Sequence, residues 1–264
     1  MLDDEQESGE TIPRSIRLLL ILEEVTRIGI PATPTEINRS VGLPKQTLHR
    51  QFSQLEDAGF LQREHDGRSY SPGPRMRSMA YGVISSTRVR AARLAVMSRL
   101  AEDIGETCNL AIPERDSMIY LDRVETKWPM RIQFPVGSKV PFHCTASGKL
   151  YLSSLPKVRL ERMLNNMTLD KMAKNTITAK GDLMVEIDRI RDQGYSEDNE
   201  EFVDAMVAMA VPIKDENDRL VSTLAFHAPT PRMSMETAHG HLDRLTHAAS
   251  ELSQILCEEA EVKN

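Results

Sequence analysis

Apolar positions in the first third of the chain recur with a helical period. Leu18, Ile21, Leu22 and Val25 follow i, i+3, i+4 and i+7, and Gly29 stops the helix expected over 14–28. A second helix opens at Thr33-Pro34-Thr35-Glu36, where Thr33 caps, Pro34 suits the first helical position and Glu36 completes a capping box. It ends at Val41-Gly42, and Leu43-Pro44 opens a third helix at once. A turn that short forces the two helices to cross sharply. Leu48, Phe52 and Leu55 form the third helix's apolar stripe, and Ala58-Gly59 ends it. Segments 60–63 and 69–72 read as short strands around the turn Asp66-Gly67. Pro72-Gly73-Pro74 closes that hairpin. A long helix is expected from Met76, with Met79, Ala80 and Val83 in register, continuing towards Leu94, Met97 and Ala101. Its stripe suits either a second copy of the chain or the chain's own domain.

Beyond residue 106 the period switches. Segments 107–112 and 117–124 alternate in steps of two around a polar turn and read as a hairpin. Helices are expected over 145–155, 157–166 and 180–193, the last stopped by Gly194. Strands follow at 206–213 and 220–227, then a final helix from Ser234 with Leu242, Leu245, Ala249, Leu252 and Leu256 along one side. Strands first and last with helices between predict an α+β domain around an antiparallel sheet. At 264 residues the chain has room for two domains but not many. The expected division is 12–74 for the helix-turn-helix with its hairpin, 75–95 for a linking and dimerising helix, and 96–264 for the α+β domain.

The polar face of the third helix carries Lys45, Gln46, Thr47, His49, Arg50 and Ser53, and no carboxylate precedes Glu56. A helix fits the major groove, and Gln or Arg near its start can pair with base edges. The hairpin would place Arg63 and Arg68 beside a phosphate backbone, as the wing of a winged helix-turn-helix does. The competing reading is a helical hairpin with an ordinary solvated face. Net charge is −6, which by itself argues against DNA. Between Glu36 and Arg93, however, ten basic residues meet five acidic ones, so this window is +5 and the remainder −11. The positive charge coincides with the helix-turn-helix.

Other chemistry is thin. No apolar run approaches the roughly 20 residues of a membrane span, and residues 1–10 lack the features of a signal peptide. Cys108, Cys144 and Cys257 are odd in number and far apart, which points to a reducing cytoplasm rather than disulfides. The seven histidines show no metal-ligand spacing with cysteine. Ser154 and Lys157 match a serine-nucleophile spacing without companion motifs, and His143-Cys144 are poorly placed to act on one atom. No catalytic residue, metal or cofactor is expected.

A binding pocket is legible in outline. Thr145-Ala146-Ser147-Gly148-Lys149 opens a helix with small residues and no carboxylate, so its free N–H groups, its dipole and Lys149 favour an anion. Met206, Ala208 and Ala210 share one strand face, and Val221, Thr223, Ala225 and His227 another. Small side chains there leave room for a ligand, or else receive a close-packed helix. Val207, Met209, Val211, Leu224 and Phe226 look like core.

Several motifs carry a resemblance. They are Gly42-Leu43-Pro44-Lys45-Gln46-Thr47-Leu48-His49-Arg50, Leu55-Glu56-Asp57-Ala58-Gly59-Phe60, Asn109-Leu110-Ala111, Tyr120-Leu121-Asp122-Arg123-Val124, Val136-Gly137-Ser138, Pro141-Phe142-His143, the segment from Thr145 to Lys149, Gly194-Tyr195-Ser196-Glu197-Asp198-Asn199-Glu200-Glu201 and Ala210-Val211-Pro212-Ile213. From Arg14 to about Cys257 the chain resembles IclR-family transcriptional regulators. The resemblance implies a winged helix-turn-helix, a linker helix and a GAF-like effector domain. It implies homodimers, often paired into tetramers, that bind promoter DNA and respond to a small organic or aromatic acid. For relatives that bind a small keto-acid, it implies contacts at positions matching Thr145, Ala146, Ser147, Gly148, Asp198, Ala208, Ala225 and His227. Asn109, Arg131 and His143 are further candidates. Alanines stand where a cysteine and a serine are expected, and His227 replaces a second serine, so the hydroxyls that hold glyoxylate or pyruvate are missing. A larger or more apolar acid, for example an aromatic one, is expected instead. Gln51 also departs from the pattern, standing at the edge of an apolar stripe. Two other readings stay open: an enzyme with an appended helix-turn-helix, and a dimerising scaffold whose pocket has collapsed.

Overall fold

The structure, a computed structural model, describes residues 13–84, 87–128 and 134–261. The chain forms two compact units, one before Thr87 and one from Thr87 onward.

The first unit contains α1 (Arg14–Ile28), α2 (Pro34–Val41), α3 (Lys45–Asp57), β1 (Leu61–Arg63), β2 (Tyr70–Pro72) and α4 (Pro74–Ile84). Thr33 caps α2 and Glu36 returns the bond, completing the capping box. Gly42 ends α2 at φ 68°, a left-handed conformation that suits glycine. The Asn38 amide then accepts from Leu43 N–H and donates to Leu43 C=O, which fixes the tight turn into α3. Ile21, Val25, Ile37, Leu48, Phe52, Leu55 and Leu61 fill the core, closed by an edge-on contact of Phe52 with Tyr70 at 4.9 Å. β1 and β2 pair antiparallel, Leu61 opposite Pro72. Gln51 is not at the edge of the stripe: it is fully buried, and neither polar atom of its amide has a partner.

The second unit contains α5 (Thr87–Ile104), β3 (Thr107–Pro113), β4 (Met118–Val124), β5 (Lys139–Val140), α6 (Ala146–Ser154), α7 (Lys157–Asn166), α8 (Lys180–Gln193), β6 (Ser196–Asn199), β7 (Met206–Lys214), β8 (Leu220–Pro229), α9 (Met235–His239) and α10 (Leu242–Glu261). It is α+β: six strands form one antiparallel sheet in the order β5-β4-β3-β8-β7-β6. Period-two alternation separates its faces. Leu110, Met209, Val211, Leu224 and Phe226 pack with Met97 and Leu100 of α5 and Leu245 and Leu252 of α10. Ala210 and Ala225 point the other way, against Ala146 and Leu150 of α6 and Ile190 of α8.

The helix expected from Met76 is described as α4 and α5, with residues 85 and 86 outside the described residues. One expectation needs correction. The final helix is two: Ser234 caps α9, and at Gly240, a weak helix former, the N–H turns back to Thr237 O before α10 begins. Strands β5 and β6 were not expected. They are short, at two and four residues, and lie at the two edges of the sheet.

Candidate functional site

Two surfaces carry the sequence-predicted residues. On α3, Lys45, Gln46, His49, Arg50 and Ser53 are exposed and Thr47 is half-buried, because Leu48, Gln51, Phe52 and Leu55 take the inward positions. At the hairpin, Asp66 accepts from the N–H groups of Arg68 and Ser69 and from the Ser69 hydroxyl, and this holds Arg68 at an exposed tip. Arg63 is exposed but also engaged within the unit. Its Nε and Nη2 donate to the two oxygens of Glu56 at 3.1 and 2.9 Å, its Nη1 donates to Gly67 O, and its guanidinium lies over the Tyr70 ring. The pair holds the Glu56 carboxyl below the usual range. Arg63 thus ties hairpin to helix through its ion pair with Glu56.

In the second unit a cavity opens between the sheet and the start of α6. It has about 500 Å³ of empty space counted out to its mouth. Its floor is Asn109, Ala208, Ala225 and His227. Strand register explains the grouping: Ala225 pairs with both Asn109 and Ala210, and Ala208 pairs with both His227 and Asp198. These side chains share one face of four adjacent strands. The helix side is Thr145, Ala146 and Ser147, and the remaining wall is apolar and aromatic, with Tyr120, Phe134, Phe202, Val203 and Met206. Phe134 bridges the rings of Tyr120 and Phe202 at 6.4 and 5.5 Å. That aromatic wall was missed in the sequence because its members lie far apart; only the alternation of β4 hinted at Tyr120.

The α6 end is built for close approach. The Thr145 hydroxyl accepts from Gly148 N–H at 3.0 Å and donates to Pro141 O at 2.7 Å, so it caps the helix instead of facing a ligand. A Cβ at Gly148 would lie 2.4 Å from Phe142 O, so glycine lets the helix sit against that loop. First-turn N–H groups at Ala146 and Ser147 lack intrahelical acceptors and carry the positive end of the helix dipole.

Three expected contributors stand elsewhere, and a fourth lies outside the described residues. Lys149 is fully buried and ion-paired to Glu201 at 2.5 Å and Glu186 at 3.1 Å, so it does not face the cavity. Gly148 packs against Phe142 and is absent from the cavity wall. His143 is buried with its Nε2 on Asp170 O at 2.9 Å, also away from the wall. Arg131 lies outside the described residues. Cys144, beside His143, is buried, and burial pushes its thiol well up, the opposite of a nucleophile's tuning.

Besides Tyr120, whose phenol is pushed up to about 12 by burial, Asp198 and His227 are titratable groups at the cavity. Burial pushes Asp198 up to about 7, although its Oδ1 accepts from Glu201 and Phe202 N–H. Burial, reinforced by the charge of Arg123, pushes His227 down to about 3. None of the described residues lining the cavity is Lys or Arg. Ala208 and Ala225 both line this cavity.

Comparison with known proteins agrees with this architecture. Residues 81–254 match the family described as bacterial transcriptional regulator IclR C-terminal. The chain is 36% identical to the probable transcriptional regulator SauR of Cupriavidus necator, over 95% of this chain and 100% of that protein. The crystal structure of Thermotoga maritima IclR superposes with a TM-score of 0.61 at 26% identity, covering 91% of this chain and 97% of that one. An IclR homolog from Microbacterium hydrocarbonoxydans, solved in complex with 4-hydroxybenzoate, shares the fold, with a TM-score of 0.58 at 24% identity over 92% and 99% of the two chains. The family match over most of the chain and the full-length similarity to a regulator establish that this chain belongs to the IclR family of transcriptional regulators.

Proposed function

We propose that this regulator binds promoter DNA through a winged helix-turn-helix formed by α1 to α3 and the β1–β2 hairpin, and that a small organic acid in the α6–sheet cavity changes that binding. In this reading α3 enters the major groove. Gln46 reads base edges, Lys45, Arg50 and Arg68 meet phosphates, and Thr47, His49 and Ser53 complete the face. A homodimer, or a pair of dimers, would meet two half-sites. The observation that carries the effector reading is the cavity itself. It pairs an unpaired helix start, which favours an anion, with an aromatic and alanine-lined body that favours a flat or apolar carbon skeleton. Binding of 4-hydroxybenzoate by the Microbacterium relative supports an aromatic acid as the class. The acid acts only if it favours one of two arrangements of different DNA affinity.

The test is binding of the full chain to its own upstream DNA with and without a panel of aromatic and small aliphatic acids. One acid should shift the affinity. The same affinity with every acid would remove the effector half of the reading and leave the DNA half.

A further inference from the structure

One polar chain at the cavity has no part in that reading. Arg123 on β4 is 3% exposed, and its Nη1 donates to Asn109 Oδ1 at 2.9 Å. A guanidinium has donors only, so the Asn109 oxygen must face Arg123 and its NH₂ must face the other way. The other way is His227, whose Nδ1 lies 2.9 Å from Asn109 Nδ2. The amide can only donate there, so Nδ1 must accept. A neutral imidazole that accepts at Nδ1 carries its proton on Nε2. Burial keeps this ring neutral. His227 Nε2 is buried without a hydrogen-bond partner, on a ring that lines the cavity. A buried donor left unpaired is costly, and a ligand acceptor removes that cost.

We propose that Arg123 and Asn109 are positioning residues that lock His227 as an Nε2–H donor, so that the cavity selects a ligand presenting a hydrogen-bond acceptor to this ring. A carboxylate, carbonyl or ether oxygen is accepted at that end. An N–H group is rejected there, because it would meet N–H. The inference rests on the reading of the cavity as the effector site. It adds a specificity determinant on β3 and β4 to the one on α6. Substituting the ring alone would not reveal it, since the ring's role is set by two residues behind it.

The test uses the full chain labelled with ¹⁵N-histidine, with His227 assigned from the spectrum of His227→Gln. The expected result is a ring whose Nδ1 is unprotonated and whose Nε2 is protonated throughout the range from pH 5 to 8. In Asn109→Asp, a carboxylate at that position accepts from both neighbours, and His227 Nδ1 should become protonated. A wild-type ring protonated at Nδ1, or one that titrates near its ordinary value, overturns the proposal even if Asn109→Asp does not fold. A second arm compares 4-methoxybenzoate with 4-aminobenzoate by calorimetry. The methoxy acid should bind at least about fivefold more tightly, as one satisfied hydrogen bond would give, and Asn109→Asp should lose the preference. Preference for the amino acid by the wild type also overturns the proposal. If neither benzoate binds, the aromatic-acid reading falls, while the histidine spectrum still decides this one.

Discussion

Arg93 and Asp122 meet where solvent does not reach. Nε and Nη2 of Arg93 both donate to Oδ2 of Asp122, at 2.9 and 2.6 Å, with the two side chains 1% and 0% exposed. The other carboxylate oxygen accepts from Arg90 at 2.8 Å. The contact fastens α5 to β4, on the sheet face opposite the cavity. Removing one partner of such a pair strands a buried charge. Asp122→Ala should therefore destabilise the second unit by about 3–5 kcal/mol, read as a lower denaturant midpoint. A loss below about 1 kcal/mol, the scale of an exposed pair, would contradict the burial of Arg93.

Gln51 makes the opposite prediction. Its amide is buried among Leu48, Phe52 and Leu55 with no partner for either polar atom. Gln51→Met keeps the shape and removes the unsatisfied groups, so the first unit should gain about 1–3 kcal/mol. Thermal unfolding checks this, and a lower midpoint would show that the amide is satisfied in solution.

Asp198 should make stability depend on pH with a definite sign. Its folded value, pushed up to about 7, lies above the ordinary carboxylate value near 4. Between those two values the folded state holds more protons than the unfolded state, so this group's contribution falls as pH rises from about 4 to about 7. Asp198→Asn keeps an acceptor for the Glu201 N–H and removes the titration. The variant should therefore gain on the wild type across that window and hold a constant lead above it. His227, pushed down to about 3, acts in the opposite sense, with stability rising from about pH 3 to its ordinary value near 6.5. An Asp198→Asn curve parallel to the wild type throughout would contradict a raised Asp198.

If the hairpin meets DNA as proposed, its two arginines should separate. Arg68→Ala should weaken binding to all sequences and reduce the salt slope by about one. Arg63→Ala should weaken binding through the Glu56 charge it leaves unpaired, and Arg63→Ala with Glu56→Ala together should restore it, since the Arg63 guanidinium is engaged by Glu56 and Gly67. Gln46→Ala should cost about 1–3 kcal/mol on the preferred sequence and little elsewhere. Binding assays at two salt concentrations distinguish these cases. An equal loss on all sequences would remove the reading role from Gln46.

What could be read from the sequence was what local chemistry encodes. The capping box at Thr33, the stop at Gly42, and the helices over 157–166 and 180–193 all follow from neighbouring residues. The face shared by Ala208, Ala225 and His227 followed from strand alternation. What was hidden depends on partners distant in sequence. Lys149 looked free for an anion until α8 and the β6–β7 loop brought Glu186 and Glu201 to it. The pairing of Arg63 with Glu56 and its stacking on Tyr70 depend on residues seven positions away in each direction. Strands β5 and β6 are too short, at two and four residues, to show a period-two pattern, although Val140 and Ser196 are buried.

The most direct test of the account is the affinity of the full chain for its own upstream DNA, measured at two salt concentrations with and without 4-hydroxybenzoate and related acids. The account predicts specific, strongly salt-dependent binding that at least one acid shifts, with the shift lost in Ala208→Phe, which fills the cavity. Sequence-blind binding, or an acid effect that survives the filled cavity, would contradict it.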